Sequence, residues 1–415
     1  MAGRMAAQTE APSTLRPALA RLIGIGVEEF ARDHWGRQAL LTPRGAAAGG
    51  SGFGDLLDAD AVDELVSQRG LRTPFLRVAR NGSTLGDSSF TAPAGVGATI
   101  GDQVSDDQLV RLFSDGATMV LQALHRVWPP IVTFSQRLAG DLGHPVQANA
   151  YVTPPQNQGF SNHYDVHDVF VLQISGEKRW VIHTPVHPAP LRHQPWTDRR
   201  RSVERRAAED PIIDTVLRPG DALYLPRGFL HAATALGGVS THLTLGVHSW
   251  TRYGLAEQLL QQALRRVADD AGARAALPLG VDLGEPADLA EDLDLIREQV
   301  VAALRTVDAA SLASALGPLA RSSQRAAPIG PLRQLRAADE LTELTPVLVR
   351  PYLAGFLSER ADGGLTVTSR AGQVVIAAAE QEAFLTWWHA GGGTSGELGG
   401  GLARRLLLTG LAVTG

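Results

Sequence analysis

The stretch from Asn162 to Trp180, NHYDVHDVFVLQISGEKRW, decides the fold. It passes from polar, histidine-bearing residues into the apolar run DVFVLQI, turns at Gly176-Glu177 and continues into KRWVIHTP. Similar runs lie on either side: QANAYVTPP before it, and DTVLRPGDALYLP and HLTLGVHSW after it. Several short strands separated by turns between Val146 and Trp250 predict an all-β sandwich or barrel. On a strand the side-chain period is two, so His163 and Asp165 share a face, and in a small barrel that face is the interior. A histidine and a carboxylate so placed are two corners of a facial triad, and a histidine from a distant strand completes a site that holds Fe(II) with three positions open. His231 in LPRGFLHAA is the best third corner, because PGD (219–221) is a turn, ALYLP is a strand and His231 follows it. Two imidazoles and one carboxylate neutralise only part of the Fe(II) charge, and the open positions can take an anionic bidentate cosubstrate and dioxygen.

The other histidines leave alternatives open. His167 shares the parity of His163 and Asp165, and either replaces one of them or caps the strand. His183, His187 and His193 lie in or beside a Pro-rich connection and read as solvated loop residues. His242 and His248 fall at even spacing on HLTLGVHSW, where His242 either supports the metal site or is a core histidine bonded to backbone.

Lys178 is the only lysine in a chain with 37 arginines. At a strand start after a turn, the plain reading is a solvent-facing residue. An ammonium on a flexible stem also suits reaching into a narrow barrel to pair one carboxylate as a point charge. Asn149 and Tyr151, two apart in ANAYVTPP, add an amide and a phenol to the same face. Together the three suit a small dicarboxylate.

Outward from the barrel, residues 1–18 are rich in Ala, Thr and Pro and read as a disordered lead-in. VEEFARDHWGRQALL predicts a short helix leading into a strand, RGAAAGGSGFGD (44–55) a loop, and DADAVDELVSQ (58–68) a helix with an N-capping acid. PFLRVARNG predicts a strand ending at an Asn81-Gly82 turn, and 107–139 predicts two helices flanking Pro129-Pro130. Residues 254–320 are helical again. The C-terminal part places LTVTS and QVVIA before AFLTWWHA and LARRLLLTGLAV, the order of a small winged-helix-like unit, although GGGTSGELGGG (391–401) disfavours a recognition helix.

Composition narrows the function classes. Lys+Arg of 38 against Asp+Glu of 43 gives a formal charge of -5, without the global basic footprint of non-specific DNA binding. With no cysteine, disulfides, iron–sulfur clusters and thiolate zinc sites are excluded. No run of about 18 apolar residues and no signal-peptide layout is present, which predicts a soluble cytoplasmic protein. The segment RRSVERR (200–206), preceded by Arg192 and Arg199, reads either as a steering surface for a protein or RNA-bound substrate or as a solvated loop.

NAYVTPPQNQGFSNHYDVHDVFVLQISGEKRW and PGDALYLPRGFLHAATALGGVSTHLTL together resemble the JmjC/cupin 2-oxoglutarate oxygenases, and within them the ribosomal oxygenases that hydroxylate ribosomal proteins. The resemblance implies an α+β protein with a double-stranded β-helix core and helical N-terminal decoration. It implies a catalytic domain over 19–253, a helical dimerisation segment over 254–335 and a winged-helix-like domain over 336–415. It implies that His163, Asp165 and His231 bind iron, that Lys178 pairs the distal carboxylate of 2-oxoglutarate, and that Asn149 and Tyr151 line its pocket. Fe(II), 2-oxoglutarate and dioxygen would then serve a homodimer acting on a ribosomal protein, without direct nucleic-acid binding. The N-terminal lead-in, the Arg-rich segment 192–206 and the Gly-rich tract lie outside that likeness. The competing readings are an N-methyl-lysine demethylase, a hydroxylase of a peptide or small molecule in secondary metabolism, a metal-dependent cupin isomerase, and a non-enzymatic cupin with a winged helix acting as a regulator. The isomerase has no use for a dicarboxylate pocket, and the regulator needs basic residues on the last helices, where only Arg404 and Arg405 occur.

Overall fold

In the computed structural model the described residues are 16–44 and 52–415, apart from 81, 94, 98, 158, 159 and 324. Two long antiparallel strands, Asp168–His183 and Leu230–Val247, pair along most of their length and organise the first unit, residues 10–249. Each half of Asp168–His183 has a different second neighbour. Val169–Leu172 pairs with Ala222–Leu225, whereas Lys178–Ile182 pairs with Ile213–Leu217. The register between the long strands shifts between Leu236 and His242, opposite Gly176. Gly176 has φ +64, and a Cβ there would lie 2.1 Å from the Val239 carbonyl oxygen, so only glycine lets the two backbones cross at this bend. Among the described residues the sheet has nine strands and continues through Val146–Thr153 and Thr118–Leu121 to Leu76–Arg80.

Helices Pro17–Ile23, Ala59–Ser67 and Pro129–Leu142 supply apolar faces to the same core as the strands: Leu19, Leu22, Leu65, Ile131 and Leu138 join Leu76, Phe170 and Leu243. Each such side chain, fully buried, contributes about 1.5–3 kcal/mol. The expected capping acid is in place, with the Ala61 N–H donating to Asp58 Oδ1 at 2.8 Å. Pro17 and Ala18, which read as part of the lead-in, already form the first turn of a helix. Residues 1–15 and 45–51, holding most of the lead-in and of the glycine loop, and Asn81 of the expected turn lie outside the described residues.

The region 107–139 departs from expectation. The helix Asp106–Ser114 stops before Gly116 (φ +88), and Thr118–Leu121 is a strand paired on both edges. The four residues are too few to show a period of two against the helical pattern around them. Pro129 and Pro130 do not break a helix; they open one, in the first turn where the missing N–H costs nothing.

The second unit carries residues 250–415. Its helices Arg252–Val267, Pro286–Thr306 and Ala309–Ser323 bury almost nothing, Ala263 alone being fully covered. The C-terminal part is two three-stranded sheets. One orders Gly392–Thr394, Pro346–Val349 and Ala412–Thr414; the other is the meander Gly355–Glu359, Leu365–Ser369 and Gly372–Ile376. Helices Gln381–Ala390 and Gly400–Leu408 give Phe384, Trp387, Trp388, Leu402 and Leu406 to its core. Among the described residues no single helix is long and apolar enough to cross a membrane.

Candidate metal centre and adjoining cavity

His163, Asp165 and His231 come together, each offering a donor atom within 4.8 Å of the other two. The local structure differs from the one expected: His163 and Asp165 precede the strand that begins at Asp168, and His163 makes only an isolated bridge with His231. In that bridge each backbone N–H donates to the other residue's carbonyl, at 3.2 and 2.9 Å. Asp165 is held through its own carbonyl, which accepts from Gly228 N–H at 3.0 Å. Asp168 fixes the strand start, its buried carboxylate accepting from Arg227 N–H and from the Ser249 hydroxyl. The two ligand-bearing segments are therefore stitched by backbone.

Both imidazoles are aimed by backbone carbonyls. His163 Nδ1 lies 2.8 Å from Ser161 O, and His231 Nδ1 lies 3.1 Å from Phe229 O. Carbonyls only accept, so each Nδ1 carries the proton and each Nε2 presents a lone pair. Burial, with His163 close by, pushes His231 down to about 4. It is neutral at ordinary pH, so its 3.8 Å approach to Asp165 Oδ2 is two donors side by side rather than an ion pair. Burial works against the Asp165 charge, but His167, His231 and His163 outweigh it and hold the carboxyl below its ordinary value. Two imidazoles and a carboxylate, with all three donor atoms converging, fit a divalent first-row metal.

The same cavity is lined by Lys178, Tyr151, Trp180, His242, Phe160, Thr118 and Thr244. Lys178 is 3% exposed, and burial pushes it down to about 7. Its Nζ donates to Thr153 Oγ1 at 3.0 Å, and that hydroxyl also meets Thr118 Oγ1 at 3.2 Å. Among the described residues no carboxylate pairs with it, which leaves two ammonium protons for a ligand. Tyr151 is raised to about 12, by burial and by Asp165, and so remains a donor. Its ring stacks on His242, with centroids 4.9 Å apart and planes 2° from parallel. His242 is buried beside Lys178, and among the described residues its Nδ1 has no partner, so it is not the backbone-bonded core histidine of the alternative reading. Asn149 shares the strand face of Tyr151, but its Oδ1 accepts from Ala123 N–H at 3.0 Å and it is absent from the cavity wall. Its carbonyl serves the turn before Leu124, a use invisible to strand parity.

Other expectations are corrected by position. His167 is outside the converging triad and stacks on His248, against Gly246, where a Cβ would lie 2.6 Å from the ring. His183 is no solvated loop residue: the strand runs on to it, pairs it with Leu230 and leaves it 2% exposed. The Arg-rich segment is the helix Arg200–Ala207 rather than a loop. Val203 pins it against Tyr164 and Leu230, chain neighbours of all three triad members, while Trp196 lies 6.5 Å from His163 and carries Arg200 over its ring. Thr153 and Thr118 were missed. Thr153 continues the Asn149, Tyr151 parity and was within reach; Thr118 sits on the strand read as helix.

Comparison with known proteins agrees with this geometry. The profile described as the JmjC domain matches residues 131–255. The bifunctional lysine-specific demethylase and histidyl-hydroxylase NO66 of Drosophila persimilis is 30% identical over 274 residues, 63% of this chain and 36% of its own length. Ribosomal oxygenase 1 of Gallus gallus is 32% identical over 257 residues, 61% of this chain and 40% of its own. The chain thus matches well under half the length of these curated relatives. The structure of YcfD, a ribosomal oxygenase from Escherichia coli, in complex with cobalt and 2-oxoglutarate superimposes with a TM-score of 0.54 at 16% identity, over 95% of this chain and 99% of that one. Residues 131–255 are therefore a JmjC domain on a cupin-type fold, in a chain that resembles the ribosomal oxygenases.

Proposed function

We propose that this chain is an Fe(II)- and 2-oxoglutarate-dependent oxygenase that hydroxylates a side chain of a protein, with a ribosomal protein as the substrate. The observation that carries the reading is one cavity holding both a His163, Asp165, His231 donor set and a buried lysine that has no acid partner among the described residues. His163, Asp165 and His231 would hold the metal. Bound there, iron supplies the activation of dioxygen that couples decarboxylation of 2-oxoglutarate, to succinate and carbon dioxide, with insertion of one oxygen atom into a substrate C–H bond.

The chain's own residues bind and orient. The Lys178 ammonium pairs the cosubstrate carboxylate remote from the metal, and Thr153, already bonded to it, keeps Nζ in place. Tyr151 stays protonated and donates its phenol hydrogen to the same anion. Trp180, Phe160 and the neutral His242 ring wall the cavity and exclude water, which strengthens the carboxylate–ammonium pairing. The protein substrate would approach past Trp196 and the Arg200–Ala207 helix.

The helices of 252–323 support a homodimer. Leu255, Leu260, Leu264, Leu293 and Val301 are each at least 40% exposed, an apolar surface that a second copy would cover. The test of the activity is purified chain with Fe(II), 2-oxoglutarate and ribosomal proteins, read by succinate release and by the mass of each protein. A gain of one oxygen on one protein supports the reading. Loss of a methyl group from a methylated lysine, without that gain, favours demethylation, the activity for which the Drosophila relative is named alongside histidyl hydroxylation.

A further inference from the structure

The second unit holds a cavity that the oxygenase reading leaves unused. Arg325, Arg350 and Arg370 line it together with Ala326, Leu353 and Ala371, around a volume of about 210 Å³. The arginines come from three separate segments. Arg325 follows the helix Ala309–Ser323, Arg350 follows the strand Pro346–Val349, and Arg370 sits in the turn between Leu365–Ser369 and Gly372–Ile376. Backbone bonds hold two of these segments in place, Ala327 N–H donating to Pro351 O at 2.9 Å and Arg350 N–H to Leu411 O at 2.9 Å, and the Ser369 hydroxyl shapes the turn of the third by accepting from Ala371 N–H at 3.1 Å.

Two of the side chains, Arg350 and Arg370, are oriented by neutral groups. Arg350 donates Nε to Ala327 O at 2.7 Å and Nη1 to Gly410 O at 3.4 Å, and Arg370 donates Nη1 to Ser322 O at 2.7 Å. None of these acceptors carries a charge, and among the described residues neither arginine has a carboxylate partner. Elsewhere in the same unit arginines do take acids: Arg360 pairs with Asp362, Arg404 with Asp339 and Arg405 with Glu380. Burial, with Arg325 and Arg370 nearby, lowers the Arg350 value. Cations gathered around one cavity repel, and an anion bound between them relieves that repulsion.

We propose that this cavity binds the phosphate monoester of a small phosphorylated molecule. Planar guanidinium forks match oxyanions. One fork already matches a carboxylate, whereas three arginines from three directions suit a tetrahedral dianion. Ala326, Leu353 and Ala371 leave an apolar wall for the rest of the molecule. A nucleic-acid backbone would instead need cations strung along an open track, in a chain whose formal charge is -5.

The experiment is calorimetric titration of the full chain with inorganic phosphate at fixed ionic strength, with short single-stranded RNA as a second arm. Saturable one-site binding is expected, with a Kd on the order of 1 mM or tighter. It should weaken at least ~10-fold in Arg350→Gln and in Arg370→Gln. Arg350→Gln also loses two bonds to backbone carbonyls and is exposed to misfolding; Arg370→Gln, in an exposed turn, keeps the test decisive and should leave 2-oxoglutarate turnover unchanged. No saturable phosphate binding, or equal affinity in wild type and Arg370→Gln, overturns the proposal. RNA binding that Arg370→Gln weakens, with inorganic phosphate unbound, also overturns it, in favour of a nucleic-acid backbone.

Discussion

At the residue scale the account rests on four side chains. Replacing His163, Asp165 or His231 by alanine should abolish 2-oxoglutarate turnover, because two remaining donors do not hold labile Fe(II) in a defined geometry. His167→Ala should stay active, since that ring packs on His248; a dead His167→Ala beside a fully active Asp165→Ala would reverse the assignment. Lys178→Ala should leave metal binding intact and weaken 2-oxoglutarate binding by roughly 30-fold to several-thousand-fold, the span of about 2–5 kcal/mol for breaking a buried charge pair. The lysine also sets a pH dependence. Its folded value of about 7 lies below the ordinary 10.5, so burial of the ammonium costs stability below about pH 7, and that cost fades as pH rises toward 10.5. Carboxylate binding needs the charged form. Apparent 2-oxoglutarate affinity should therefore fall by about tenfold per pH unit above neutrality. A cosubstrate titration that is flat from about pH 6.5 to about pH 9 would contradict the anchor.

At the element scale the bend of the long strands carries the nine-stranded sheet of the described residues. Gly176→Ala places a Cβ against the Val239 carbonyl at positive φ, and should destabilise by more than ~1 kcal/mol, a fall of at least about 2–4 °C in Tm. An unchanged melting curve would contradict a crossing that only glycine allows. The long strands were legible because DVFVLQI, KRWVIHTP and HLTLGVHSW are bounded by turns and rich in β-branched and aromatic residues. His163 and Asp165 were found by an alternation that does not apply to them, since they precede the strand; backbone stitching to His231 and Gly228 brings them together instead. The strand Thr118–Leu121 was hidden by its helical neighbours, and with it Thr118. Asn149 shows the opposite failure, a correct strand face whose side chain is taken by a neighbouring turn. The burial of His183 depended on where its strand ends, which periodicity does not mark.

At the scale of the whole molecule, the claim is that a metal-binding barrel is extended for a protein substrate. Light scattering should give twice the chain mass, and Leu260→Glu with Leu264→Glu should return the monomer; a monomeric wild type would remove the dimer. Truncation after about residue 335 should impair hydroxylation of protein more than uncoupled 2-oxoglutarate decarboxylation, because the barrel unit holds the whole cavity. Equal losses of both activities would make the C-terminal part a stabiliser only. The most direct measurement of the central claim is intact-mass analysis of ribosomal proteins from wild-type cells and from cells lacking the gene, followed by reconstitution with the purified chain, Fe(II) and 2-oxoglutarate. The account predicts one ribosomal protein heavier by a single oxygen atom in the wild type, and restored to that mass by the chain but not by its His163→Ala variant. Identical masses in both strains, with efficient turnover on a small molecule or a methylated lysine peptide, would contradict it.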